Sequence, residues 1–313
     1  MIPTKIDIEA SYSRVQPFVH RTPILTSTLI NEITGTIVYF KCENLQKTGA
    51  FKMRGAINAI HQLSKKQKKA GVVTHSSGNF AQAVSLAAKQ LGVKAYIVMP
   101  SNSPKIKIDA VKKYGGIITF SETTVISREM LAKQIQQKTG ATFLHSSNNI
   151  NVILGQGTAA VEFFEDHTEL DFVITPVGGG GLIAGTALAA KYYGNNCKVI
   201  GGEPFVADDA YRSLISGKIE NNTNTNTIAD GLKTQLGDIN FPIIKELVDE
   251  IIRVKESEII DAMKLFWERM KIIIEPSSAV PFAALIRNKD RFKNKNIGII
   301  ITGGNVDLSH LPF

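Results

Sequence analysis

Four consecutive glycines, Gly178, Gly179, Gly180 and Gly181, follow the apolar run Phe172-Val173-Ile174-Thr175-Pro176-Val177 and precede a helix-forming stretch from Leu182. A strand, a turn without side chains and a helix start let backbone N–H groups converge on an anion, so this segment predicts a phosphate cradle. No Lys-Ser or Lys-Thr closes the turn, and G-x-G-x-x-G spacing is absent, which separates it from P-loop and dinucleotide sites. Upstream, the run Lys47-Thr48-Gly49-Ala50-Phe51-Lys52-Met53-Arg54-Gly55-Ala56 puts Lys52 at the opening of a helix among small and apolar neighbours. Burial there lowers an amine's pKa and makes it a nucleophile. His75-Ser76-Ser77-Gly78-Asn79 leaves another strand with hydroxyls and an amide at a helix start, a place suited to a carboxylate. In Ile299-Ile300-Ile301-Thr302-Gly303-Gly304-Asn305 the plan recurs with a hydroxyl, that of Thr302.

A further loop, Gly202-Glu203-Pro204-Phe205-Val206-Ala207-Asp208-Asp209, offers carboxylates and a backbone carbonyl after a strand. Oxygen donors of this kind suit a hard divalent ion such as magnesium, manganese or calcium; taken alone, the loop reads as a helix cap.

These landmarks need elements to hold them. β-rich runs at 37–42, 71–75, 95–99, 116–120, 142–145, 172–177, 198–203, 251–254 and 297–302 alternate with helical patterns, the signature of an α/β chain with a mainly parallel sheet. Phe80, Ala83, Val84, Ala87 and Leu91 form one helical stripe, and similar stripes follow Ser103, Thr123, Ile153, Ser257 and Ser277. Residues 220–227, an Asn/Thr tract with nothing to bury, read as a surface loop.

A chain of 313 residues can bury a large core or two closely joined domains. No apolar stretch approaches bilayer length and the N-terminus has no apolar signal core, so a cytoplasmic protein without a membrane role is expected. The net charge of +8 has its densest part in Lys65-Lys66-Gln67-Lys68-Lys69, read as a solvated helix end. No aromatic residue interleaves these lysines, and no nucleic-acid partner is expected. Only Cys42 and Cys197 are present, which excludes a disulfide framework and a thiolate zinc site. Both read as buried apolar residues.

A lysine amine, a phosphate cradle, a carboxylate cradle and a hydroxyl at strand ends together describe pyridoxal phosphate holding an amino acid. In their order these landmarks resemble the fold type II pyridoxal-phosphate enzymes, whose fold is like that of the tryptophan synthase β chain: two open, mostly parallel sheets covered by helices. Within that group the chain is similar to the serine racemase and threonine dehydratase family. The resemblance runs from His20-Arg21-Thr22-Pro23 through Gly155-Gln156-Gly157-Thr158, Ala229-Asp230-Gly231, Trp267-Glu268-Arg269-Met270-Lys271 and Glu275-Pro276 to Thr302-Gly303-Gly304-Asn305-Val306-Asp307-Leu308.

The resemblance implies that Lys52 is the Schiff-base lysine with Phe51 packed beside the cofactor. Asn79 would bond the ring hydroxyl, Gly178, Gly179, Gly180, Gly181 and Leu182 the phosphate, and Thr302 the pyridine nitrogen, with Gly231 and Glu275 lining the ring. A hydroxyl at Thr302, where other enzymes have aspartate, implies a weaker electron sink and favours expulsion of a β-substituent over transamination. Lys52 and Ser77 are the implied acid/bases on opposite faces of the substrate. Ser76, Ser77, Asn79, Arg128 and Thr234 match substrate-side positions. Glu203, Ala207 and Asp209 match metal ligands. Ser27, Thr28, Leu29, Lys47, Thr48, Ala110, Tyr114, Lys271 and Asn305 match the positions that contact ATP, an effector, in animal serine racemase.

The expected activity is dehydration of L-serine and L-threonine to a 2-oxo acid and ammonia, with serine racemisation, in a homodimer. A large domain (1–70 with 148–313) would hold a small inserted one (71–147), with no regulatory domain after Phe313. The alternatives are a 3-hydroxyaspartate dehydratase, a sulfhydrylase-like β-replacement enzyme and, from another class, a noncatalytic phosphate or nucleotide sensor. The sensor reading gives Lys52 no use. Phe80 and the run His145-Ser146-Ser147-Asn148 depart from the family pattern on the substrate side.

Overall fold

The computed structural model describes residues 2–313 and arranges ten strands in two sheets. In chain order they are β1 (Ile24–Leu25), β2 (Ile37–Cys42), β3 (Val72–His75), β4 (Ala95–Pro100), β5 (Ile117–Ser121), β6 (Thr142–Phe143), β7 (Phe172–Pro176), β8 (Lys198–Pro204), β9 (Glu250–Val254) and β10 (Asn296–Ile301). The larger sheet runs β1-β2-β10-β7-β8-β9 and the smaller β5-β4-β3-β6. Only the β1–β2 pair is antiparallel. Nine strands fall within two residues of their sequence-read positions. β1 escaped because two residues carry no period.

The central strands are apolar on both faces, as a helix-covered parallel sheet requires. Val173 and Ile300 point into one core with the helices Ile150–Asp166 and Gly181–Tyr193. Their chain neighbours Ile174, Ile299 and Ile301 point into another with Pro276–Arg287 and Glu256–Leu265. Two close helix contacts depend on glycine: a Cβ on Gly157 would sit 2.5 Å from the Gly185 carbonyl, and one on Gly155 2.5 Å from the Arg54 carbonyl. They draw the helix Lys52–His61 and the helix that follows the glycine turn against the same central helix.

Buried beneath that contact is an ionic network. The Arg54 guanidinium donates to Glu43 (2.8 and 2.8 Å) and to Glu162 (2.8 and 2.8 Å). Lys41 Nζ lies 2.7 Å from Glu162, and the Thr22 hydroxyl donates to Glu43 at 2.6 Å. Two cations thus balance two carboxylates, all withdrawn from solvent.

Two expectations are corrected. The lysine run is a helix of its own, Lys65–Ala70, started by a Ser64–Gln67 capping box rather than ending a longer one. The Asn/Thr tract is not wholly on the surface: Thr227 is buried, and Asn222 reaches inward to Asp209. No helix among the described residues is long and apolar enough to cross a membrane.

Candidate active site

The C-terminal ends of β3, β7 and β10 bring the landmarks together, as open α/β sheets do. The Phe51 N–H donates to the Thr302 carbonyl (3.0 Å) and Ala50 bridges to Gly303, which fixes the start of the Lys52 helix against the end of β10. Lys52 Nζ lies 4.8 Å from the Phe51 ring centre and 5.9 Å from that of Phe80, and donates to the Ser146 carbonyl at 2.9 Å. Burial lowers the amine's pKa from 10.5 to about 8, against the pull of Glu275. A large fraction of the amine is therefore free base in mildly alkaline solution.

Gln156, fully buried, donates to the same Ser146 oxygen at 3.0 Å. Its Oε1 has no partner and lies 2.7 Å from where a Cβ on Gly181 would stand. Sequence reasoning quoted Gly155-Gln156-Gly157-Thr158 without giving Gln156 a task. Its flanking glycines were the available signal, since they let neighbouring helices close around it.

In the glycine turn the N–H groups of Gly178, Gly179 and Gly180 meet no acceptor among the described residues. Gly180 adopts φ 78°, open to glycine at little strain, and Asn240 Nδ2 ties down the Gly179 carbonyl at 2.8 Å. A Cβ on Gly179 would overlap the Ser147 hydroxyl and crowd Thr234 Oγ1, one on Gly178 would meet the Gly231 carbonyl and Leu232, and one on Gly180 the Leu236 side chain. Unpaired amides in a closely walled turn at a helix N-terminus fit a phosphate, and an amine buried beside them fits an aldehyde partner. Asn240, fully buried, carried no sequence signal.

Asn79 Nδ2 donates to both Glu275 oxygens (2.9 and 3.0 Å), while Asn305 Nδ2 donates to Asn79 Oδ1 (2.9 Å) and the Thr48 carbonyl (2.8 Å). Burial, then the charge of Asp230, pushes the Glu275 carboxyl from 4.5 up to about 7. The Thr302 hydroxyl lies 2.9 Å from that of Ser278, another residue the sequence did not single out.

Ser76 Oγ accepts the Gly78 N–H at 3.3 Å, whereas the half-buried Ser77 hydroxyl has no partner among the described residues. Arg128, half-buried on Val125–Thr139, makes only a local contact to the Thr124 carbonyl (3.4 Å) but bears electrostatically on His75. His145 Nδ1 accepts the N–H groups of Ser147 (3.2 Å) and Asn148 (2.8 Å). Burial pushes its pKa down to about 4, so it serves as a neutral acceptor that shapes the 145–148 turn.

Across the sheet, Glu203 and Asp209 are both fully buried. Glu203 accepts the N–H groups of Ala210 (3.1 Å) and Tyr211 (2.9 Å). Asp209 accepts from Asn222 Nδ2 (2.6 Å) and the Leu236 N–H (2.9 Å). Burial and mutual repulsion raise Glu203 well above 4.5, and burial takes Asp209 from 3.8 to about 6. The Ala207 carbonyl receives no backbone N–H among the described residues. Two destabilised carboxylates beside a free carbonyl fit a hard cation.

The nucleotide-matched residues are only partly gathered. Thr48 and Asn305 are bonded, and Lys47 Nζ is engaged by the Phe18 carbonyl (2.7 Å). Ser27 caps the helix Thr28–Thr34 that carries Leu29, Ala110 and Tyr114 lie at the helix Lys105–Lys113, and Lys271 holds φ 58° after Phe266–Met270. No hydrogen bond among the described residues joins these to Asn305.

Comparison with known proteins agrees with this geometry. The family described as "Pyridoxal-phosphate dependent enzyme" matches residues 15–303. A serine racemase of Dictyostelium discoideum is 52% identical over 309 residues, 97% of this chain and 95% of that protein. A beta-hydroxyaspartate dehydratase of Paracoccus denitrificans (strain Pd 1222) is 46% identical over 312 residues, 100% and 99% of the two chains. The crystal structure of a T.th. threonine deaminase superposes with TM-score 0.93 at 39% identity, covering 98% of this chain and all of that one (100%).

Proposed function

This chain belongs to the pyridoxal-phosphate dependent enzymes, and from that premise we propose that it dehydrates L-serine and L-threonine to a 2-oxo acid and ammonia and interconverts the enantiomers of serine. The observation that carries the reading is the Lys52 amine, its pKa brought down to about 8 between Phe51 and Phe80. A sensor has no need of it.

Bound pyridoxal phosphate supplies an electron sink for negative charge developing at the substrate's Cα. Lys52 anchors its aldehyde carbon, then takes the Cα proton on its own face. Ser77, whose hydroxyl is free of protein partners, delivers or removes the proton on the other face. Gly178, Gly179, Gly180, Gly181 and Leu182 hold the phosphate. Phe51, Asn79, Gly231, Glu275 and Thr302 orient the ring, and Ser76, Asn79, Arg128 and Thr234 serve the substrate. With the two sheets read as two domains, 1–70 with 148–313 and 71–147, substrate enters between them.

Glu203, Ala207 and Asp209 take magnesium, manganese or calcium; the raised carboxyls support this. ATP acts as effector at a site that includes Thr48 and Asn305, one hydrogen bond from Asn79, and the enzyme is a cytoplasmic homodimer. A second reading, dehydration of 3-hydroxyaspartate, takes support from the Paracoccus relative and from Arg128, a half-buried cation near His75 that suits a second carboxylate.

Steady-state rates with L-serine, D-serine, L-threonine and 3-hydroxyaspartate, with and without chelator and ATP, rank these readings. Lys52→Ala should remove the visible absorption band of the lysine–cofactor linkage and every activity by more than about a thousandfold. A variant that keeps turnover would overturn the assignment.

A further inference from the structure

Three short contacts meet at the hydroxyl oxygen of Ser278, a fully buried residue on the helix Pro276–Arg287. The Gly303 N–H lies at 2.9 Å, the Gly303 carbonyl oxygen at 2.8 Å and the Thr302 hydroxyl at 2.9 Å. Each needs one hydrogen. The Gly303 carbonyl has none to offer, so the hydrogen in that contact is Ser278's own. Ser278 then has nothing left to donate, and the Thr302 O–H must point into its remaining lone pair. The reverse arrangement would hold two oxygens 2.8 Å apart with no hydrogen between them. Thr302, only 3% exposed, therefore turns its lone pairs rather than its proton toward the site.

We propose that Ser278 is a positioning residue that makes the Thr302 hydroxyl an acceptor for the protonated ring nitrogen of pyridoxal phosphate. The proposal rests on the reading in which Lys52 anchors the cofactor and Thr302 meets the ring nitrogen. A hydrogen bond to a group's protonated form favours that form. A threonine hydroxyl free to rotate would instead donate to a bare nitrogen. Locked by Ser278, it lets the nitrogen keep its proton to higher pH, and a protonated ring withdraws charge from Cα more strongly. Thr302 thus takes on part of the role that an aspartate would have, without a charge.

The test uses holoenzyme reconstituted with pyridoxal phosphate labelled with nitrogen-15 in the ring, followed by NMR as pH is raised. In the parent the ring nitrogen should give the shift of its protonated form in the neutral range. In Ser278→Ala, where Thr302 can donate to the ring, the titration midpoint should fall by about one pH unit, tenfold in proton affinity, while the visible band of the lysine linkage persists. A parent whose ring nitrogen is bare throughout the neutral range overturns the proposal whether or not the variant folds. So does an unchanged midpoint in Ser278→Ala. A parent without the lysine-linked band removes the underlying reading as well, a separate and recognisable failure.

Discussion

Lys52 and Gln156 hold the same oxygen: the amine and the side-chain amide both donate to the Ser146 carbonyl, at 2.9 and 3.0 Å. The reactive nitrogen is therefore oriented by a backbone group that is itself held from the central helix Ile150–Asp166. Gln156 also faces Gly181 with its unpaired oxygen, so one side chain touches both the amine end and the phosphate end of the site.

Ser77→Ala should separate two reactions. With Lys52 intact, elimination from L-serine needs a base on one face only and should change by no more than a few-fold. Racemisation, which needs a group on the second face, should fall by about a hundredfold or more. Rates for both reactions from each enantiomer decide it; an equal loss in the two would sink the role assigned to Ser77.

The cation loop should make the protein's stability respond to pH and to divalent ions together. Asp209, raised from 3.8 to about 6, and Glu203, also raised, bind more protons folded than unfolded. Ion-free protein should therefore lose stability as pH rises through that window. Magnesium should restore it, with a larger thermal shift at alkaline than at acid pH, because binding requires both carboxylates ionised. Asp209→Asn should abolish the magnesium-induced shift in melting scans. An undiminished shift would place the ion elsewhere.

Arg54→Met should destabilise the chain by about 3–5 kcal/mol, because it leaves Glu43 buried without its bidentate partner. Arg54→Lys should rescue little, since a point ammonium cannot bond two carboxylates as the guanidinium fork does. Denaturant unfolding of both variants is the measurement, and a loss below about 1 kcal/mol would show the network to be dispensable.

What the sequence made legible was local. The glycine turn, Lys52, Ser76, Asn79 and Thr302 stand at strand ends, where turn chemistry and strand pattern coincide within a few residues. Gln156, Asn240, Ser278 and Asn222 were not legible, because each acts through a partner 10 to 61 residues away. In Ser277-Ser278 nothing distinguishes a helix-start serine from one that directs a threonine's proton. The Asn/Thr tract misled because composition reports what cannot form a core, not which single amide reaches one. Lys65–Ala70 was misplaced because Ser64 and Gln67 reset the helix start within a lysine-rich run.

Leu236 has two employments. Its amide secures the Asp209 carboxylate, while its side chain stands where a Cβ on Gly180 would collide. The metal loop and the phosphate turn are thus neighbours through one leucine, although one binds a cation and the other an anion. Stripping the ion with chelator would slacken the wall behind the glycines, and the enzyme's hold on vitamin B6 would weaken without any direct bond between the two.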